Sequence, residues 1–322
     1  MQRIDCPLCD SSDYLTVADM RDRLLGMDGQ FQMARCENCG LYYLNPQPAM
    51  AELARYYPED YVPFTTPSPE QLPFLQRLSV NYGLGKRRQA VTRYKPGGRL
   101  LEIGCANGLF LNSMNQTGAW QVQGVEISEA PVRYARERLG LDVFHGSLSD
   151  AHFPDNTFDA VVMWDVLEHV HGPKDTLLEI HRVLKPDGIL VLRVPQLDSW
   201  DRGLFGPYWV GWDAPRHLTL FSQRTLRLML ARTGFRVQRM RCISGSYPTF
   251  ALSVRLWAQE HLSDAAQKRL GAVLNSALMR VLVIPYFYLM DRLGRGTVVT
   301  AIARPGDTEA VGGTAQLKGQ AS

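Results

Sequence analysis

Two stretches of the chain place reactive side chains at spacings that ordinary packing does not require. Cys6 and Cys9 stand in C-P-L-C, and Cys36 and Cys39 in C-E-N-C-G, so two knuckles offer two thiolates each. Four thiolates converging on one point make a tetrahedral zinc site, and a segment this short needs such a metal to hold its fold. Gly40, just after the second pair, suits the tight turn of such a knuckle. The second stretch is LLEIGCANGLFL, residues 100–111. Glu102 interrupts an apolar run there, and a carboxylate is costly to bury without a partner. Gly104 and Gly108 then bracket Cys105, Ala106 and Asn107 before a new apolar run begins. A glycine loop between strand and helix lets backbone approach a ligand closely. Its spacing is not the G-x-G-x-x-G of a dinucleotide loop. Cys105 and Cys242 stand alone in apolar surroundings and read as small core residues.

Two histidines are placed to move a proton. His169 lies in L-E-H-V after an expected strand at residues 158–163, and His217 lies in D-A-P-R-H-L-T-L-F after an expected strand at 189–194. Open α/β sheets carry their reacting groups beyond the carboxyl ends of the strands, and histidine titrates near neutral pH. Asp165 reads as a helix cap and Glu168 with His169 as a structural pair, in preference to the magnesium set that a resemblance of this turn to some quinone O-methyltransferases implies.

The elements that must hold these groups alternate. After the prolines of residues 58–73, a helix is expected over 75–94, stopped by Pro96-Gly97-Gly98. Strands follow at 100–103, 121–127 and 142–146, with a helix at 131–139 between the last two. The 183–188 segment should end a helix and turn into the strand at 189–194. A helix at 223–233, a strand at 235–243, a helical insertion at about 247–295 and a last strand at 297–303 complete the core. This order predicts an α/β fold with a doubly wound, mostly parallel sheet. The expected divisions are a zinc module at 1–57, a linker and covering helix at 58–95, a main domain at 96–305 and a disordered tail at 306–322. The aromatic loop from Trp200 to Ser222 has the composition of a substrate-binding segment.

The glycine loop with its preceding acid, F-D-A-V, L-E-H-V and R-V-L-K-P-D-G-I-L resemble the class I S-adenosylmethionine-dependent methyltransferases. Their first motif is close to E/D-x-G-x-G-x-G, with Ala106 here at the middle glycine. The resemblance implies a Rossmann-like sheet and an S-adenosylmethionine pocket. Residues Gly104, Cys105, Ala106, Asn107 and Gly108 would cradle the methionine part and Glu102 its ammonium. Glu126 would take the ribose hydroxyls and Ser147 and Leu148 the adenine, with Ile127, Trp164 and Asp165 completing the set. D-A-P-R-H-L-T-L-F resembles a signature of zinc-containing methyltransferases among sugar- and polysaccharide-modifying enzymes. It implies His217 as general base, with Asp213 and Arg216 orienting it or the substrate, and His169 as a second catalytic residue. The acceptor so implied is a sugar nucleotide or glycan intermediate of polysaccharide biosynthesis. The alternative is O-methylation of a quinone or other lipid-like acceptor. A reading from another class is a catalytically silent protein that recruits a partner through its zinc module.

Composition narrows the partners. The 322 residues are 45% hydrophobic and 21% charged, with a formal net charge of +3. That net charge is too small to argue for nucleic acid or a charged membrane. Acids outnumber bases over residues 1–60, which removes the phosphate-binding footprint of a nucleic-acid zinc ribbon. The first residues lack the apolar core of a signal peptide, and a cytoplasmic location is expected. The insertion at 247–295 reads as a lid over the site, with contact to a membrane surface as the sharper alternative. Composition leaves the oligomeric state open.

Overall fold

The computed structural model describes residues 1–58, 72–242 and 246–306. Strands β1 (Tyr14–Met20) and β2 (Phe31–Cys36) pair antiparallel, and β3 (Tyr42–Leu44) adds to β2. Each cysteine knuckle closes with a backbone hydrogen bond, from Asp10 N–H to the Cys6 carbonyl at 2.9 Å and from Gly40 N–H to the Cys36 carbonyl at 3.0 Å. Gly40 has φ of 78°, the left-handed conformation its sequence position called for. A short helix α1 (Met50–Ala54) follows. The expected linker prolines from Pro63 to Pro69 lie outside the described residues.

The central sheet begins after α2 (Phe74–Thr92). Strand β4 (Gly98–Ile103) leads into α3 (Leu109–Asn115), and β5 (Trp120–Glu126) into α4 (Glu129–Leu139) and β6 (Val143–His145). Then come β7 (Phe158–Trp164), α5 (Pro173–Val183) and β8 (Leu184–Pro195). These five strands are parallel in the spatial order β6-β5-β4-β7-β8. The chain therefore winds outward one way from β4 and then the other, which opens a crevice at the carboxyl ends of β4 and β7. The sequence explains the layers. Strand β7 is almost wholly buried, as a strand covered on both faces must be. Helix α5 starts with Pro173 at its first turn and buries Leu177, Ile180 and Val183, one stripe at helical spacing.

One boundary differs from expectation. The segment Lys185–Gly188 does not end a helix; it bulges out of β8, whose register against β7 jumps from the Phe158–Leu184 pair to the Ala160–Ile189 pair. The extra residues leave Lys185 free to reach Asp159 at 2.9 Å.

Beyond β8 run α6 (Trp200–Phe205), the two-residue strand β9 (Thr219–Leu220), α7 (Gln223–Arg232) and β10 (Phe235–Arg241). The insertion holds four helices, α8 (Ser246–His261), α9 (Asp264–Asn275), α10 (Ala277–Leu282) and α11 (Ile284–Arg292). Between α9 and α10 the helical insertion breaks at Ser276, which is extended and accepts the Met279 N–H on its hydroxyl at 3.2 Å. Strand β11 (Val298–Pro305) returns antiparallel between β8 and β10. The expected tail from Asp307 onward lies outside the described residues.

The N-terminal segment is stitched into the main body. β9 pairs with β3, Tyr43 opposite Thr219 and Tyr42 opposite Leu220, making a second sheet in the order β1-β2-β3-β9. A shared core covers the join, with Met33, Leu44 and Tyr56 from one side and Leu197, Trp209 and Leu218 from the other.

Candidate functional site

The glycine loop turns where β4 ends. Gly104, Ala106 and Gly108 all have positive φ, 66°, 46° and 76°. A side chain at Gly104 would come within 2.5 Å of Val166, and one at Gly108 within 2.6 Å of Leu141, so both positions demand glycine. The bend is fastened to β5: the amides of Gly104 and Cys105 donate to the Val125 carbonyl, and Ala106 N–H donates to Glu126 at 2.9 Å. The other oxygen of Glu126 accepts the Ser128 N–H at 2.9 Å. Glu126 thus shapes two loops, and its remaining lone pairs are left for a ligand. Glu102 is different. It is buried, and its Oε2 has no hydrogen-bond partner among the described residues. Burial pushes its carboxyl up to about 8, with Glu126 adding to the effect and Arg87 opposing it. An orphaned carboxyl of this kind fits a ligand ammonium group.

These residues border one cavity of about 2240 Å³. An ordinary small-molecule site measures roughly 300–1,000 Å³, so there is room for two ligands side by side. Every cofactor residue expected from the sequence lines it except Gly108, which starts α3 behind the wall. The far wall comes from elsewhere: Leu53 and Tyr57 of the N-terminal segment, Ser79 and Tyr82 of α2, and Ile284 and Phe287 of α11. Asp165, at the end of β7, is gripped by Arg193, whose Nε donates to its two oxygens at 2.9 and 3.1 Å. Burial would raise this carboxyl, but Arg193, helped by Arg87 and His169, holds it below the usual carboxylate range. Arg87 and Arg193 also flank the Trp164 ring, at 5.4 and 5.8 Å from its centre.

His169 and His217 meet, with ring centres 4.6 Å apart. Only His169 borders the cavity; His217 lies behind it. His169 donates from Nδ1 to the Arg216 carbonyl at 2.9 Å, with the Tyr57 hydroxyl at 3.0 Å from the same nitrogen. His217 donates from Nδ1 to the Gly211 carbonyl at 2.8 Å. A carbonyl can only accept, so Nδ1 carries a proton in both rings, and in His169, where the ring is neutral, the lone pair sits on Nε2. Burial, and then His217, pushes His169 down to about 3, so the imidazole stays neutral. Behind the pair, Asp213 lies 3.9 Å from His217 Nε2. Burial would raise Asp213, but His217 and Arg216 hold it low.

The structure separates the remaining expected partners. Arg216 is wholly buried between Asp22 and Asp213 and reaches no ligand space. Asp165 does not join Glu168 around a cation, because Arg193 occupies it. Glu168 instead sits with His169 and His217, one ligand atom of each within 4.8 Å of the others, and both its carboxylate oxygens lack partners among the described residues. That set has the spacing to hold a cation. Burial, and then Asp165, raises the Glu168 carboxyl.

The four paired cysteines do converge. The Sγ atoms of Cys6 and Cys39, and of Cys9 and Cys36, are 3.5 Å apart, and all four lie within 4.8 Å. Zinc–thiolate bonds of about 2.3 Å in a tetrahedron put sulfurs about 3.8 Å apart, so the donor set fits that ion.

Sequence reasoning named Tyr57 among the tyrosines that could line a substrate wall but missed Arg87, Arg193 and Asp22. Arg193 left a signal, a lone charge in the apolar strand I-L-V-L-R-V; the other two left none, because their roles come from tertiary contacts.

Comparison with known proteins agrees with this layout. A family model described as a methyltransferase domain matches residues 78–239, which leaves the thiol cluster outside the match. The chain is 36% identical over 104 residues to the mitochondrial ubiquinone biosynthesis O-methyltransferase of Schizosaccharomyces pombe, 30% of this chain and 37% of that protein. It is 35% identical over 108 residues to the demethylmenaquinone methyltransferase of Symbiobacterium thermophilum, 31% and 43% of the two lengths. The chain thus spans less than half the length of these curated relatives. A solved S-adenosylmethionine-dependent methyltransferase from Mesorhizobium loti superposes with a TM-score of 0.45 at 19% identity, over 68% of this chain and 97% of that one.

Proposed function

The chain belongs to the methyltransferase-domain family, and from that premise we propose that it moves the methyl group of S-adenosylmethionine to a hydroxyl of a quinone-like or other lipid-like acceptor. The observation that carries this reading is the cavity itself, whose lining includes both an orphaned acid and the apolar side chains of Ile284, Phe287 and Tyr288. The names of the relatives favour the same acceptor class over the sugar nucleotide that the D-A-P-R-H-L-T-L-F segment implied. So does the burial of Arg216 in that segment, since a side chain locked between two carboxylates cannot hold a sugar phosphate.

The bound sulfonium supplies an electrophilic methyl group. Glu102 takes the ammonium of the donor, the loop from Gly104 to Gly108 surrounds its methionine part, and Glu126 accepts the ribose hydroxyls. Ile127, Ser147 and Leu148 bound the adenine, and Trp164 and Asp165 complete the contacts. His169 offers the lone pair on Nε2 to the acceptor hydroxyl and takes its proton as the oxygen attacks. The Asp213 and Asp165 carboxylates stabilise the cation so formed. The four-cysteine cluster holds a structural zinc ion and so fixes the wall that carries Tyr57.

Incubation with methyl-labelled donor and a cell extract split into organic and aqueous fractions tests the reading. Label entering the organic fraction supports it. Label confined to water-soluble products restores the sugar-nucleotide acceptor, and donor binding without any transfer supports the silent-binder alternative.

A further inference from the structure

Two helices far apart in sequence both line the cavity, and both turn apolar side chains to solvent. α2 contributes Tyr82 and Lys86 to the cavity lining, and α11 contributes Ile284 and Tyr288. On the outside, α2 exposes Phe74, Leu78 and Tyr82, while α10 and α11 expose Leu278, Val281, Leu282, Ile284, Tyr288 and Leu289. Leu278 is 69% and Leu282 64% exposed, values more typical of lysine than of leucine. Exposed apolar side chains in this number on elements that line one cavity mark a docking face.

Charge selects the partner. From Phe74 to Thr92 the helix carries Arg77, Lys86 and Arg88 and no acid, while Arg87 turns inward to Asp165. From Ala277 to Arg292, Arg280 and Arg292 outweigh Asp291. Two copies apposed through this face would bring cations together, whereas an anionic lipid surface would neutralise them. No single helix among the described residues is long and apolar enough to cross a membrane, and the stretch from Asp264 to Arg292 is bent by 63° between α9 and the helices that follow. The bend divides it into segments each shorter than the roughly 20 residues that span a bilayer, as elements lying along a surface can be.

We propose that α2, α10 and α11 together dock the protein on an anionic bilayer, so that the cavity mouth faces the membrane and a lipid acceptor enters from it without crossing water. The docking stands on surface chemistry alone; the route of entry rests on the acceptor class proposed above.

Flotation of the full chain with vesicles of phosphatidylglycerol and phosphatidylcholine, against phosphatidylcholine alone, tests the docking. Binding should need the anionic lipid and weaken with salt. Leu78→Glu and Leu289→Glu, on α2 and α11 and outside the cavity lining, should each lower partitioning by roughly tenfold or more. Unchanged affinity of both variants for S-adenosylmethionine reports an intact fold. Wild-type protein that stays free of anionic vesicles overturns the proposal, as does unaltered binding by both variants. A dimer in light scattering that Leu289→Glu dissociates assigns the face to a second copy and also overturns it. Flotation needs no turnover, so its outcome is independent of the methyl-transfer reading. If both hold, Leu289→Glu should slow methylation of a vesicle-embedded acceptor and leave that of a short-chain soluble analogue unchanged.

Discussion

Asp22 and Arg216 meet as a fully buried ion pair, each carboxylate oxygen accepting one guanidinium hydrogen bond, at 2.7 and 2.9 Å. The same guanidinium binds Asp213, and the Arg216 carbonyl holds His169. One residue therefore links the thiol-bearing segment, the acid behind His217 and the imidazole at the cavity wall.

Breaking that link should be costly. Asp22→Ala leaves a buried guanidinium short of a partner, and removing one member of a buried pair costs about 3–5 kcal/mol. Urea denaturation should show a loss of that order. Turnover should fall further than donor affinity, because the glycine loop is not part of the link.

Donor binding should depend on pH through Glu102. Its carboxyl sits at about 8 in the free protein, so near neutrality it is largely protonated. An ammonium needs the carboxylate, so affinity should rise with pH by up to about tenfold per unit until roughly pH 8, with a proton released on binding. Calorimetry in buffers of different ionisation enthalpy measures that proton. Glu102→Gln should bind weakly and without the slope. Stability of the free protein has the opposite trend. The native state holds a proton that the unfolded chain has lost above its ordinary carboxyl value, so this contribution shrinks as pH rises through about 8.

The histidine pair should separate binding from chemistry. His217→Ala and His169→Ala should both abolish turnover while leaving S-adenosylmethionine affinity unchanged. Near-normal turnover in His217→Ala would remove that residue from the mechanism. Because His169 is held down at about 3 when folded, the unfolded chain binds its proton first as pH falls below the ordinary imidazole value. Stability should therefore drop between about pH 6.5 and 3, and His169→Gln should flatten that part of the curve.

Metal removal should reach the active site. A chelator strong enough to strip four thiolates should release one zinc per chain, measured by mass spectrometry, and end turnover together with the order of β1–β3. Preserved activity in metal-free protein would detach the cluster from the site.

Much of this architecture was legible in the sequence because its signals are local. The apolar runs of β4, β7 and β8, the stripe on α5 and the glycine turns each state their own conformation. The two C-x-x-C knuckles announced a convergence that the sulfur distances bear out. What stayed hidden depends on partners distant in the chain. D-A-P-R-H could be read as a catalytic signature, yet nothing local says that Arg216 turns toward Asp22 or that His217 stands behind His169. The Lys185–Gly188 bulge escaped for a related reason: K-P-D-G reads as a turn, and only the β7 register shows the strand continuing on both sides of it.

The pairing of Tyr43 with Thr219 and of Tyr42 with Leu220 has a consequence for synthesis. During translation the N-terminal sheet lacks its last strand until Leu220 has cleared the ribosome. Over that interval the nascent chain presents the bare edge of β3 and the half-built hollow around Met33 and Tyr56.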